Sequence, residues 1–275
     1  MMMRPPLFMC FSAACVATNT PRKLTSIRRS SSSRVVSSNL LGTAVPALFT
    51  STSSRPNVAT VFSTAASTAL ASAASLVKEI ERGGEKAIAI QADAADADAV
   101  RNAVERTVTT FGRLDVLVNN AGTAIPKKFE ETTLEEMDRM IDINIRGAFV
   151  ATQAALKHMK DGARIIMIGS CVGERMMTPG LVPYSATKGA VKMFTQGLSR
   201  EVGNRGITVN NIQPGPIDTD LNPASGDWAV PQKAATALDR YGLVEEIAAI
   251  AAFVAGPESS YITGANLTVD GGMNA

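Results

Sequence analysis

The stretch LDVLVNNAG, residues 114–122, sets the fold. It starts as an apolar run and closes in Asn-Asn-Ala-Gly, so it reads as a strand running into a turn. Working outward, strand-like and helix-like segments alternate. Upstream, NVATVF (57–62) and KAIAIQAD (86–93) read as strands. STAASTALASAASLVKEIERGG (63–84) reads as a helix, with Leu70, Ala74, Val77 and Ile80 at helical spacing and Gly83–Gly84 as its stop. ADADAVRNAVERTVTTFG (95–112) is a second helix with Val100, Val104 and Val108 on one stripe. Downstream, residues 134–159 read as one long helix or a kinked pair, RIIMIGS (164–170) as a strand, and residues 184–203 as a helix. GITVNNIQPG (206–215) holds a strand, residues 244–256 a helix, and ANLTVDGG (265–272) a last strand. This alternation predicts a parallel sheet covered by helices on both faces. Ligands in such sheets bind beyond the carboxyl ends of the strands. Asp93, Asn120, Ser170 and Pro214–Gly215 all fall at predicted strand ends, which points to one composite site on one rim.

The chemistry centres on PYSATKGAVKMF (183–194). Tyr184 and Lys188 are four apart, so a helix presents them on one face. A free tyrosine has a pKa of about 10, too high for efficient acid–base work near neutrality, and a fixed cation beside it lowers that value. The pair therefore reads as a tuned proton donor. By itself the spacing occurs on many helices as a solvated Lys beside a half-buried Tyr.

Its surroundings are more specific. LVNNAG (117–122), DINIRGAF (142–149) with Asn144, Ser170 ending RIIMIGS, Tyr184 with Lys188, and QPGPIDTD (213–220) occur in this order. Together they resemble the short-chain dehydrogenase/reductase family, in its 3-oxoacyl-(acyl carrier protein) reductase-like branch. The resemblance runs from about residue 57 to Ala275. It implies an α/β fold with a doubly wound, Rossmann-like parallel sheet, and hydride transfer between a nicotinamide and a carbonyl or alcohol carbon. Tyr184 would protonate the developing alkoxide, and Ser170 would hold the carbonyl oxygen as charge develops. Lys188 would tune the tyrosine and bind the nicotinamide ribose. Asn144 would hold a water linking Lys188 to solvent.

The resemblance also implies cofactor contacts. Asp93 would bond the adenine amine; a plain loop cap is the alternative. Asn120, Ala121 and Gly122 would bring backbone close to the adenosine ribose. Pro214 and Gly215 would shape the turn under the nicotinamide, Ile217 would offer backbone to its carboxamide, and Thr219 a hydroxyl to a phosphate. Near Phe62 there is no acid to bind a ribose 2′-hydroxyl; Ser63 and Thr64 stand there, which favours NADP(H) over NAD(H). Residues 219–242 would form a substrate-covering lid. Within it Trp228 either lines the pocket or packs the lid down. Lys233 and Arg240 either meet an acidic carrier or are solvated charges.

Composition bounds the remainder. The balance of 27 Lys+Arg to 25 Asp+Glu, net charge +2, makes no demand for nucleic acid. No apolar stretch reaches the ~18 residues that a membrane helix needs. Cys10, Cys15 and Cys171 have no disulfide or metal spacing, and lone His158 reads as a surface residue, so no metal site is expected. Cys171 reads as a small buried neighbour of the site rather than a nucleophile. From Met1 to Lys78 there is no Asp or Glu, against eight Lys/Arg and fifteen Ser. The start, MMMRPPLFMCFSAACVAT, resembles a signal peptide, and the Arg/Ser-rich run after it an organelle transit peptide. A frame-shifted gene model is a third reading. Residues 1–56 are thus expected to be a basic extension and 57–275 the reductase domain, cytoplasmic, or organellar if the extension is a transit peptide.

One part of the pattern fails. A dinucleotide-binding unit opens with a strand and a glycine-rich turn into a helix. Between Met1 and Arg82 the one glycine is Gly42. The expectation is that the central first strand is missing or distorted, improvised from residues 34–56, or completed by a partner chain. Two functions stay open. The first is an NADP(H)-dependent reductase of a 3-oxoacyl thioester or similar small ketone. The second is a silent family member, or truncated gene product, serving as a binding or oligomerisation subunit. Self-association as a homodimer or homotetramer is expected from the resemblance.

Overall fold

A computed structural model of the chain describes residues 8–12, 58–63, 73–74, 77–78, 80–82, 86–177, 179–219 and 221–275. Residues 34–56, the transit-like run, Thr64 and most of the helix expected over 63–84 lie outside the described residues. The strands are β1 Phe8–Ser12, β2 Val58–Ser63, β3 Lys86–Gln91, β4 Val116–Asn119, β5 Arg164–Ile168, β6 Thr208–Pro214 and β7 Asn266–Val269. They form one sheet in the order β3-β2-β1-β4-β5-β6-β7, every pair parallel. This is the doubly wound arrangement, with the order reversing between β1 and β4.

The expected gap at the centre of the sheet is filled. Phe8–Ser12 lies between β2 and β4, with Phe8 in register with both Ala59 and Val116. The strand is FMCFS, far upstream of the 34–56 stretch expected to improvise it. Its continuous apolar character is what a central parallel strand requires. The same character made it pass for the apolar core of a targeting segment.

The principal helices are α1 Ala97–Phe111, α2 Leu134–Ile141, α3 Ala148–Leu156, α4 Val182–Val202, α5 Ala229–Ala234 and α6 Val244–Ala255. Helix α1 starts where the Asp96 carboxylate accepts from the backbone N–H of Asp98 and Ala99 at 2.9 and 3.1 Å. It stops at Gly112, whose φ of 77° suits glycine. Thr133 and Glu136 close a capping box at the start of α2. Between α2 and α3, Asp142–Gly147 makes a π-helical turn, so the run expected as one helix or a kinked pair is a pair joined by a bulge. Gly147 is required there: a Cβ would lie 2.5 Å from the carbonyl oxygen of Ala94.

Side chains alternate across the sheet. Ile166 and Ile168 of β5 pack with Val116, Val118, Ile212 and α6 on one face. Ile165 and Met167 pack with Leu117, Val209 and helices α1, α3 and α4 on the other. Full burial of each such side chain contributes about 1.5–3 kcal/mol. Two filled faces leave the carboxyl rim of the strands as the place where side chains can meet a ligand. Among the described residues, no helix is long and apolar enough to cross a membrane.

Candidate active site

Three strand ends and one helix converge on that rim. Helix α4 carries Tyr184 and Lys188 one turn apart, with Lys188 Nζ 5.7 Å from the Tyr184 ring centroid. Lys188 is buried, and its ammonium donates to the carbonyl oxygen of Ile168 at 2.8 Å. Burial lowers its pKa from the usual lysine range to about 8. Ser170 follows β5, and its hydroxyl bonds to Tyr184. Gly173, in the same loop, lies against the Lys188 backbone: a Cβ there would be 2.7 Å from the Lys188 carbonyl carbon.

The electrostatics of Tyr184 differ from the expectation. Burial pushes the phenol up to about 12, and the Ser170 hydrogen bond acts in the opposite direction without cancelling it. The Lys188 charge does not pull it below the ordinary value, as the four-residue spacing suggested. The ammonium is turned to the Ile168 carbonyl, and desolvation dominates the shift of each group. Tyr184 is accordingly a protonated donor at neutral pH.

Asn144 sits in the π-helical turn and is buried. Its Oδ1 accepts from Thr123 N at 2.8 Å, and its Nδ2 donates to Thr123 O and to Thr187 Oγ1, each at 2.9 Å. The side chain thus ties the turn after β4 to α4. The bulge brings it into reach, and π-turns recur at functional sites for such reasons. Gly122 lies beside the pair: a Cβ there would stand 3.4 Å from Lys188 Nζ and 3.6 Å from Asn144 Oδ1. Asn120 is buried, its Oδ1 has no hydrogen-bond partner among the described residues, and Ala121 follows it, partly buried.

The other expected contacts are placed as follows. Asp93 caps its own turn, accepting from Ala95 N at 3.0 Å, and pairs with Arg139 of α2 at 3.3 Å. Pro214 ends β6, and Gly215 abuts Asp270 so closely that a Cβ would be 2.6 Å from the Asp270 Cα. Ile217 is buried and bridged to Gly242. The Thr219 hydroxyl accepts from Asn222 N at 3.2 Å. Trp228 is 57% exposed, so it does not pin residues 219–242 down. That segment is tied instead by Tyr241, whose hydroxyl lies 3.2 Å from Asn222 Oδ1 and 2.9 Å from Gln232 Oε1. Arg240 makes a two-pronged pair with Glu246 at 2.9 and 2.7 Å. Cys171 is buried, and burial, reinforced by the Asp270 charge, raises its thiol to about 11. That is an inert thiol.

Several contributors were not visible in the sequence pattern. Thr187 lies inside YSATK but carries no chemistry until Asn144 is brought to it. Arg139 and Ile168 act through contacts that spacing does not encode. Asn274, whose Nδ2 donates to Cys171 O at 2.8 Å, is 103 residues from its partner.

The residues present fit a nicotinamide cofactor at the ribose and nicotinamide end. Gly122 leaves a cradle that a side chain would fill, a buried ammonium adjoins it, and Asn120 carries an unpartnered acceptor.

Comparison with known proteins agrees. The family model described as enoyl-(acyl carrier protein) reductase matches residues 57–274. A cyclic-di-GMP-binding biofilm dispersal mediator protein of Escherichia coli K12 is 42% identical over 189 residues, 69% of this chain and 78% of that protein. A 3-oxoacyl-(acyl carrier protein) reductase of Synechocystis is 41% identical over 201 residues, 72% of this chain and 80% of that protein. A crystal structure of a blue fluorescent protein from a metagenomic library, in complex with NADPH, is 47% identical with a TM-score of 0.77, covering 79% of this chain and 88% of that one.

Proposed function

The chain belongs to the short-chain dehydrogenase/reductase family, and we propose that it reduces a carbonyl substrate, a 3-oxoacyl thioester or similar small ketone, with NADPH. The observation that carries this reading is the Ser170–Tyr184–Lys188 group at the strand rim, with a protonated phenol held beside a buried ammonium. A bound NADPH supplies the hydride. Ser170 orients the carbonyl oxygen, and Tyr184 delivers its proton to that oxygen as charge develops. Lys188, its ammonium held by the Ile168 carbonyl, would bind the nicotinamide ribose. Asn144 keeps the Gly122 turn and α4 in register, and a water held near it would return the proton. Asp93, Asn120, Ala121, Gly122, Pro214, Gly215, Ile217 and Thr219 line the cofactor path. NADPH is the preferred form, supported by the absence of an acid after β2 and by the NADPH in the metagenomic relative.

A second reading has one observation in its favour. Gly42 alone between Met1 and Arg82 leaves no glycine-rich turn for the pyrophosphate. On that reading the chain is a binding or oligomerisation subunit, and cyclic-di-GMP, named for the E. coli relative, is the first ligand to try. The exposed apolar residues Leu134, Ile141 and Phe149 of α2 and α3, with Val182 and Met193 of α4, support self-association on either reading.

Titrating NADPH and NADH into the purified chain while following nicotinamide fluorescence separates the two. Saturable NADPH binding, with ketone-dependent oxidation lost by about 10²–10⁴-fold in Tyr184→Phe, is expected. Absence of binding, with cyclic-di-GMP binding in a parallel titration, would favour the subunit.

A further inference from the structure

The turn after β7 is built around the Asp270 carboxylate. Its Oδ1 accepts from Gly272 N and its Oδ2 from Asn274 N, both at 2.9 Å. Gly271 and Gly272 take φ of 66° and 81°, which lets the backbone close on that carboxylate. Three parts of the site meet this turn. On the cofactor side, Gly215 N donates to Val269 O at 3.0 Å, beside the tight Gly215–Asp270 contact. From residues 219–242, Leu238 N donates to Gly271 O at 3.1 Å. At the catalytic loop, Asn274 Nδ2 donates to Cys171 O at 2.8 Å, and Met273 Sδ lies 3.8 Å from Cys171 Sγ.

We propose that residues 270–274 are a clasp for the reaction centre, and that Asn274 is a positioning residue that fixes the Ser170–Cys171 loop against Tyr184. The proposal deepens the reductase reading and rests on it for its kinetic consequence. Within the loop, Cys171 O also accepts from Glu174 N at 3.0 Å and Arg175 N at 3.1 Å. Those bonds shape the loop without tying it to the sheet. The Ser170 hydroxyl takes a long bond of 3.4 Å from Val172 N besides its bond to Tyr184, and further along the loop Glu174 is held by Lys192 at 2.7 Å and Gln213 at 3.3 Å. Gly173 abuts Lys188 on the α4 side, and Asn274 secures the loop from the β7 side. Among the described residues the buried Asn274 Oδ1 has no partner, and the Nδ2 bond is what fixes the side chain there. Asn274 and Leu238 meet the same turn, which links residues 219–242 to the Ser170 loop.

The test is Asn274→Asp, which keeps the shape and sets a carboxylate against the Cys171 carbonyl, with Asn274→Ser as the milder variant should the first not fold. Two readouts are taken on the full chain. Steady-state reduction should lose roughly 10–100-fold in kcat, as expected for a displacement near 1 Å, with KM for NADPH unchanged within about twofold. Site-resolved alkylation of Cys171 by iodoacetamide, which needs no activity, should become about fivefold or more faster as the buried thiol is uncovered. Unchanged alkylation in a folded variant overturns the clasp, and faster alkylation with unchanged kcat overturns the positioning role. A wild-type chain inactive on every ketone overturns the reductase reading instead, and the alkylation arm still decides the clasp.

Discussion

Gly173→Ala is the sharpest test of how the catalytic loop is seated. A Cβ at this position would lie 2.7 Å from the Lys188 carbonyl carbon, 2.9 Å from its Cβ and 2.9 Å from its carbonyl oxygen. Carbon atoms pack at about 3.5–4.0 Å, so the new methyl intrudes by roughly 1 Å. Helix α4 is 21 residues long and packed along its length, so it does not retreat; the loop does. Overpacking of this kind costs about 1–3 kcal/mol. For a domain of this size that is a fall of roughly 2–4 °C in Tm per kcal/mol. The same displacement carries Ser170 away from Tyr184 by about 1 Å, which can cost ~10²-fold in kcat. Gly197→Ala is the control on the same helix, since a Cβ there meets nothing within 4 Å. It should stabilise by about 0.4–1 kcal/mol and leave kcat unchanged. The assay is thermal unfolding by circular dichroism paired with NADPH oxidation. If both variants move Tm in the same direction, or Gly173→Ala keeps wild-type Tm and kcat, the steric argument is wrong.

Three further outcomes follow from the same geometry. Lys188 has a folded-state pKa of about 8, below its ordinary value, so the unfolded chain binds the extra proton at higher pH and stability should rise from pH 8 towards 10.5. Tyr184 at about 12 lies above its ordinary value, so stability should fall between pH 10 and 12; denaturant melts of Lys188→Met and Tyr184→Phe should each lose one limb. Asn144→Ala removes two bonds to Thr123 and one to Thr187, and should destabilise by about 2–4 kcal/mol in urea unfolding, with Asn144→Asp intermediate. The Glu246 carboxyl is held at about 2 by the Arg240 pair and the Leu243 N–H. Its stabilisation is present above about pH 4.5 and lost as pH falls towards 2, and Arg240→Met should flatten that limb. The pair is largely exposed, so the effect should be under about 1 kcal/mol and weaken in salt.

Much of the fold could be read before any coordinates, for a physical reason. Strands β3 to β7 and the helices between them carry local signals: apolar runs, and helical stripes such as Val100, Val104 and Val108. The Tyr184–Lys188 pairing was legible because one helix turn brings the two side chains together. The failures are non-local. FMCFS has no cap, no period and no adjacent partner in sequence; what makes it a strand is the slot between β2 and β4. The direction of the Tyr184 shift was misread because spacing reports proximity but not desolvation. Arg139 with Asp93, Thr187 with Asn144 and Asn274 with Cys171 are contacts made only after the sheet has folded.

These failures bear on whether a chain poor in early glycines can hold a complete reaction centre. The sheet order places β1 and β2 on one side of the switch point and β4 to β7 on the other. Among the described residues, the bonds that seat Ser170, Tyr184, Lys188 and Asn144 come from the second side: Ile168 at the end of β5, Thr123 after β4, Thr187 on α4, and Asn274 after β7. None needs a glycine-rich turn after β1. What β1 supplies is backbone pairing to the Val116–Asn119 strand, and FMCFS supplies that without glycine. The proton-transfer half and the pyrophosphate half of such a site are therefore built by separate parts of the chain. Restoring a Gly-x-x-x-Gly-x-Gly turn directly after Ser12 should tighten NADPH binding while leaving the Tyr184 pKa where it is. A shift in that pKa, followed by tyrosinate absorbance at 295 nm, would mean that the two halves are coupled through β1 after all.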